Sequence, residues 1–205
     1  LILVCSTYRL QNRDLANPLL RYMVYLKNEK YLPQDASSIL SLSRNILQDY
    51  KIIIRDARIA THFVELDVSI PSTLELEKIK SKLSGIGSIV EMDRIVETDL
   101  DKKISLKMAR ELFNNEKYWK THEVLEGTWK HTQGDERGLL NGIILVAAAL
   151  VHYQKGEQAI CISIMKRALV KLNNAYGNYH DIDIDSLKTQ VTNIVNSSKV
   201  SSFKI

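Results

Sequence analysis

The spacing of apolar residues changes character near position 100 of the 205-residue chain. Before it, runs that suit strands alternate with runs that suit helices; after it, every periodic run is helical. In the first half, Leu1–Cys5 forms a short apolar run that predicts a strand. Asn17-Pro18 predicts a helix start, with Asn17 as cap and Pro18 at the first helical position. Leu19, Leu20, Met23 and Leu26 then follow at helical spacing. A second helix is expected from about Ser37 to Tyr50, with Leu40, Ile46 and Leu47 inward. Ile52-Ile53-Ile54 is a β-branched run and predicts a strand. His62, Val64, Leu66, Val68 and Ile70 alternate with Phe63, Glu65, Asp67 and Ser69, which predicts a half-buried strand with one polar face. Ser72-Thr73-Leu74-Glu75 reads as a capping box. The helix it opens carries Leu76, Ile79 and Leu83 and can end at Gly85 or Gly87, and Ser88–Val96 returns as a strand. The order strand, helices, strand, strand, helix, strand is that of a ferredoxin-like α+β domain with its first helix split in two. We place this domain at residues 1–98 and an all-α helical bundle at 104–200, joined by the charged stretch Glu97–Lys103.

In the second half, Ser105 is the expected cap of a helix that turns Ala109, Leu112 and Phe113 inward. The next helix, about Tyr118–His131, has the apolar stripe Tyr118, His122, Leu125, Trp129, spaced 4, 3 and 4. His122 is therefore expected to face the core, with Glu126 about 6 Å further along on the same side. After Gln133-Gly134-Asp135 a helix of about Glu136–Lys155 is apolar on nearly every side, so other helices should surround it. Its greasy run, Leu139–Tyr153 with Asn141 in it, is 15 residues and shorter than a membrane span. Gly156 ends it, and Glu157 opens a helix with Ala159, Ile160, Ile164, Ala168, Leu169 and Leu172. A more polar helix is expected from Asp185 to Asn196.

Composition adds exclusions. Hydrophobic residues make up 45% of the chain, enough for a core without metal or disulfide staples. Cys5 and Cys161 have no zinc-ligand spacing and read as reduced thiols. The start, Leu1–Cys5, is too short for a signal peptide and has no basic leader, so a cytoplasmic protein is expected, without a membrane span. The net charge of +4 falls in the second half and is too scattered to argue for nucleic acid. There is no serine nucleophile motif, no glycine-rich phosphate loop and no dinucleotide fingerprint.

The helical half resembles a known family, the domain of unknown function numbered 309, over about residues 105–173. The resemblance is carried by Glu111-Leu112-Phe113, His122-Glu123-Val124-Leu125-Glu126 with Trp129, and Gly134-Asp135-Glu136-Arg137. Gly142-Ile143-Ile144, Ala147-Ala148-Ala149-Leu150, His152 and Gly156 follow in the same order. It implies a small helical bundle, and some members carry the label of metal-dependent hydrolase. Asn141 and Leu145 stand where the family pattern has glutamines, and Glu157 where it has asparagine.

A hairpin turning near residue 134 would set Asn141 across from Glu126 and Leu145 near His122. His152, 11 residues beyond Asn141, would lie about 16 Å away, near Glu116 or Tyr118, and could not share an ion with His122. Three readings of the pair stay open. His122 and Glu126 could be a hydrogen-bonded core pair, supported by Tyr118, Trp129 and His152. They could be ligands of a divalent metal, with Glu123, Asn141 or a partner chain completing the shell, and in an enzyme Glu123 could act as general base. They could line a pocket for a small polar ligand or a partner, without turnover. Self-association into a homo-oligomer through the helical half is left open by the sequence.

Overall fold

A computed structural model of the chain describes residues 19–96 and 100–205. The strand expected at Leu1–Cys5, the helix start at Asn17-Pro18 and the linker residues Glu97–Asp99 lie outside the described residues. The N-terminal half runs β1 (Leu20–Lys27), α1 (Ala36–Leu47), β2 (Ile53–Ile59), β3 (Phe63–Ile70), α2 (Leu76–Leu83) and β4 (Ile89–Arg94). The four strands form one antiparallel sheet in the order β2-β3-β1-β4. The ferredoxin-like element order is therefore present, followed by a helical region.

Several details differ from the expectation. The residues read as the first half of a split helix are β1. Its central residues, Tyr22 to Leu26, are all buried, so both faces carry apolar side chains and the alternation that marks a strand is lost. The first helix is accordingly a single one, α1. Ser72 makes no side-chain cap; a 3-10 turn at Thr73–Glu75 leads into α2 instead. His62 is exposed in the turn before β3 rather than on its apolar face.

One face of the sheet packs under α1 and α2 through Val24, Leu26, Val64, Leu66, Val68 and Ile70, against Ile39, Leu47, Ile79 and Leu83. A β-bulge between Ile54 and Asp56 decides what the other face receives. One extra residue there reverses the side-chain parity of β2. Ile54, Ala57 and Ile59 therefore all join the core under the helices, while Arg58 lies opposite Glu65 on the far face. The polar face of β3 is thus not solvated. Arg58, Glu65 and Asp67 are each at most 3% exposed.

The cover over that face is the helical half. It contains α3 (Lys102–Asn114), α4 (Tyr118–Lys130), α5 (Gly134–Gln154), α6 (Gln158–Leu172) and α7 (Ile184–Ser197), with a two-strand turn, β5 (Asn178–Tyr179) and β6 (Ile182–Asp183), before α7. Asp101, not Ser105, caps α3; its side chain accepts from the backbone N–H of Lys103 and of Ile104, while Ser105 is buried. The core is built on α5, whose Leu140, Ile143, Val146, Ala147 and Leu150 are buried among the other helices. Gly142 permits the close approach of α6: a Cβ there would lie 2.6 Å from Leu172 Cγ. On α6 the inward stripe is Cys161, Met165, Ala168 and Leu172; Ala159 and Ile160 are exposed. Burial pushes the Cys161 thiol up to about 12, so it stays protonated at neutral pH.

The two halves meet through a small mixed cluster. Met23, Tyr25 and Trp119 pack together with Phe63 and Val151. Arg58 donates from Nε to Glu65 and contacts Asp56 at 3.0 Å, and Arg21 is bidentate on Asp67. Burial opposes the charge on Arg58, but Glu65, Asp56 and Asp67 outweigh it and hold the guanidinium above its ordinary pKa. Around this cluster Glu116 accepts from the Thr61 N–H and hydroxyl, each at 2.8 Å. Lys117 and Lys120 pair with Glu91 and Asp93 of β4, and Lys155 with Asp56.

Two substitutions test this packing by urea denaturation. Arg58→Ala leaves Glu65 buried without its cation and should cost about 3–5 kcal/mol. Gly142→Ala forces a methyl against Leu172 and should cost about 1–3 kcal/mol, with the sheet intact by circular dichroism.

Candidate functional site

α4 places the residues singled out from the sequence. Its buried stripe is Tyr118, Thr121, Leu125 and Thr128, rotated slightly from the expected Tyr118, His122, Leu125, Trp129. His122 and Glu126 are half-buried and sit on the flank of the helix, beside the core rather than in it. The rotation follows from what covers α4. Trp119 is drawn onto the sheet, where Arg21 lies 4.9 Å and Arg58 5.6 Å from its ring centre. Lys117 and Lys120 tie the same end of the helix to β4. Burial works against the charge of Asp93, but Lys120 and then Lys117 hold its pKa below the usual carboxylate value.

The flank faces a cleft of about 500 Å³ over α5, between α4 and α6. His122, Glu126, Trp119 and Trp129 line it from α4, Asn141, Leu145 and His152 from α5, and Arg167 and Lys171 from α6. The hairpin expectation therefore gathered Glu126, Asn141, His122 and Leu145 around one space. His152 lines the same cleft. Its Nδ1 pairs with Glu157, and it is Gln154 that reaches Glu116, donating to the backbone carbonyl at 2.8 Å.

No hydrogen bond joins His122 to Glu126, or Glu126 to Asn141, among the described residues. The neighbour of His122 is Glu123, with Oε1 3.3 Å from Nδ1. One ligand atom from each of His122, Glu123 and Glu126 can be chosen so that all lie within 4.8 Å of one another. Positions i, i+1 and i+4 of a helix allow this because the first and last share a face and the middle one sits beside them. An imidazole with two carboxylates is a donor set suited to zinc or another first-row divalent ion. Arg21, from the sheet, is close enough for Glu123 to help raise its pKa; burial opposes its charge, and the bond and charge of Asp67 do most to overcome that.

The supporting residues divide. Tyr118 is buried in the core against Phe113, and its hydroxyl has no hydrogen-bond partner among the described residues. Trp129 is half-buried with Arg137 stacked 3.8 Å from its ring centre. Trp119, Arg167 and Lys171 were not singled out from the sequence. Arg167 and Lys171 carried a readable signal, two cations four apart beside the buried stripe of α6.

Residues 106–164 match the model of the family described as Domain of unknown function (DUF309), the one its motifs resemble. An uncharacterized protein of Aquifex aeolicus (strain VF5) is 21% identical over 179 residues, covering 84% of this chain. Those residues are 49% of the relative, so the chain spans about half its length. A conserved hypothetical protein from Thermus thermophilus, solved by crystallography, is 28% identical over 44% of this chain and 95% of its own, with a TM-score of 0.40.

Because His122 is half-buried on the flank and, among the described residues, bonds only to the adjacent Glu123, His122→Ala should shift stability by less than about 1 kcal/mol. A thermal melt of parent and variant, both in chelator so that no bound ion contributes, checks this. A larger loss would return His122 to the role of a core hydrogen-bonding residue.

Proposed function

We propose that the helical half binds a divalent metal ion on its α4 flank and uses it in hydrolysis of a small molecule seated in the cleft. The observation that carries this reading is the convergence of His122, Glu123 and Glu126, with ligand atoms within 4.8 Å of one another at a cleft of small-molecule size. His122 and Glu126, one turn apart, hold the ion, and Asn141 offers a further oxygen from the facing helix. Glu123 takes a proton from the attacking water, as a carboxylate within reach of both ligands can. When bound, the ion supplies a nucleophilic water at neutral pH and polarises the bond to be broken. The N-terminal half, assigned to residues 1–98, acts as the platform that fixes α4: Trp119 and the lysines Lys117 and Lys120 are held by the sheet. A second reading, binding without turnover, is favoured by the largely apolar lining of the cleft, which includes Ile144, Leu145, Ala148 and Val151.

Elemental analysis of the chain purified without chelators tests the proposal. The expected result is about one zinc, manganese or iron per chain, with loss of the metal in His122→Ala and Glu126→Ala. A parent that stays metal-free after titration with zinc and with manganese would overturn it. Metal in the parent without metal-dependent cleavage across aryl esters and phosphoesters would leave the second reading in its place.

A further inference from the structure

We infer that the cleft takes a small anionic molecule with an apolar body, its anionic group held by Arg167 and Lys171 of α6. The inference rests on the cleft being the binding site, as proposed above, but not on the metal. Three observations carry it. First, the floor and walls are apolar over most of their extent. α5 contributes Ile144, Leu145, Ala148 and Val151, and Val170 of α6 is 75% exposed at the rim. A bound molecule gains mainly by burying an aromatic or aliphatic body there.

Second, the charges of the lining are unequal. Arg167 and Lys171 stand against the single lining carboxylate Glu126. Neither cation has an acidic partner within 4.0 Å among the described residues. Being four apart on one helix, they present their charges side by side, as recognition of a carboxylate, phosphate or sulfonate by two donors requires.

Third, the fold fixes where the pair sits. With no side chain at Gly142, α6 presses onto α5, and the Lys171 Cβ lies 3.4 Å from where a Gly142 Cβ would be. Lys171 is thereby held at the level of Asn141, on the opposite wall from His122 and Glu126. The cleft then has an acid-and-imidazole wall on α4, a cationic wall on α6 and an apolar floor between them. With a metal ion neutralising the first wall, the second is left to select an anion. The ligand class this gives is an aryl or alkyl carboxylate or phosphoester, of which the phosphoester has a bond that hydrolysis can break. A cationic or neutral ligand would leave Arg167 and Lys171 without a role.

Trp119 and Trp129 are the two tryptophans of the chain and both line the cleft, so energy transfer from tryptophan reports occupancy. The full chain is titrated with 8-anilino-1-naphthalenesulfonate and with N-phenyl-1-naphthylamine, which share an aromatic body and differ in the sulfonate. Each titration is run with chelator and with added zinc. The anionic probe should bind at least about tenfold more tightly than the neutral one in the parent. Arg167→Ala combined with Lys171→Ala should remove that preference and leave the neutral probe within about twofold. Both positions are exposed, so the doubly substituted chain keeps its fold, and a thermal melt verifies it. Ala148→Phe, which fills the floor without adding a tryptophan, should weaken both probes. Equal affinity for the two probes in the parent overturns the inference, as does a preference that survives the double substitution. Energy transfer that disappears as chain concentration rises would also overturn it, since a second copy would then be the occupant. A protein that takes up neither zinc nor manganese yet still prefers the anion would sink the metal proposal and leave this one standing.

Discussion

The fold turns on one buried guanidinium. Arg58 is 2% exposed and sits between the sheet and the helices, bonded to Glu65 and Asp56 and facing the ring of Trp119. A buried ion pair of this kind about breaks even in stability, because desolvation offsets most of the attraction. What it contributes is direction. Glu65 and Asp67 cannot face an ordinary apolar layer without partners, and the chain supplies those partners only if the bulge in β2 turns Arg58 to the far face and Arg21 reaches across from β1. The face so neutralised can then receive Trp119, whose ring tolerates a cation against it.

That contact sets the rotation of α4. With Trp119 on the sheet, and Lys117 and Lys120 held by Glu91 and Asp93, the helix turns His122 and Glu126 out of its buried stripe and onto the cleft. The same rotation leaves Glu123 next to His122 and within the electrostatic reach of Arg21. Residues of the sheet thus influence the site without lining the cleft. On the opposite wall, Gly142 and the small residues of α5 let α6 come close enough for its two cations to share the same space.

The helical half was legible in sequence wherever one face alone was buried. α7 follows the expected spacing, and the hairpin about Gly134 correctly put Asn141 and Leu145 in the same space as Glu126 and His122. The misreadings have physical causes. β1 is covered by helices on one side and by the helical half on the other, so its apolar run has no strand period and Leu19, Leu20, Met23 and Leu26 could equally mark a helix. On α6 the apolar residues nearly encircle the helix, and spacing alone chose Ile160 for the core where packing chose Cys161.

The sequence by itself determined the order of elements from α1 onward apart from the short β5 and β6, the helical character of the second half and the identity of the polar residues on α4. Each depends on local propensity and on periodicity within one segment, which the chain carries in its own residues. Only the tertiary structure decided that the polar face of β3 is a buried interface and that His122 and Glu126 turn onto a cleft instead of into the core. It alone put Trp119, Arg167 and Lys171 around the cleft. Those facts depend on a bulge that reverses side-chain parity and on a helix rotated by contacts with strands far away in the chain, neither of which spacing along the chain can encode.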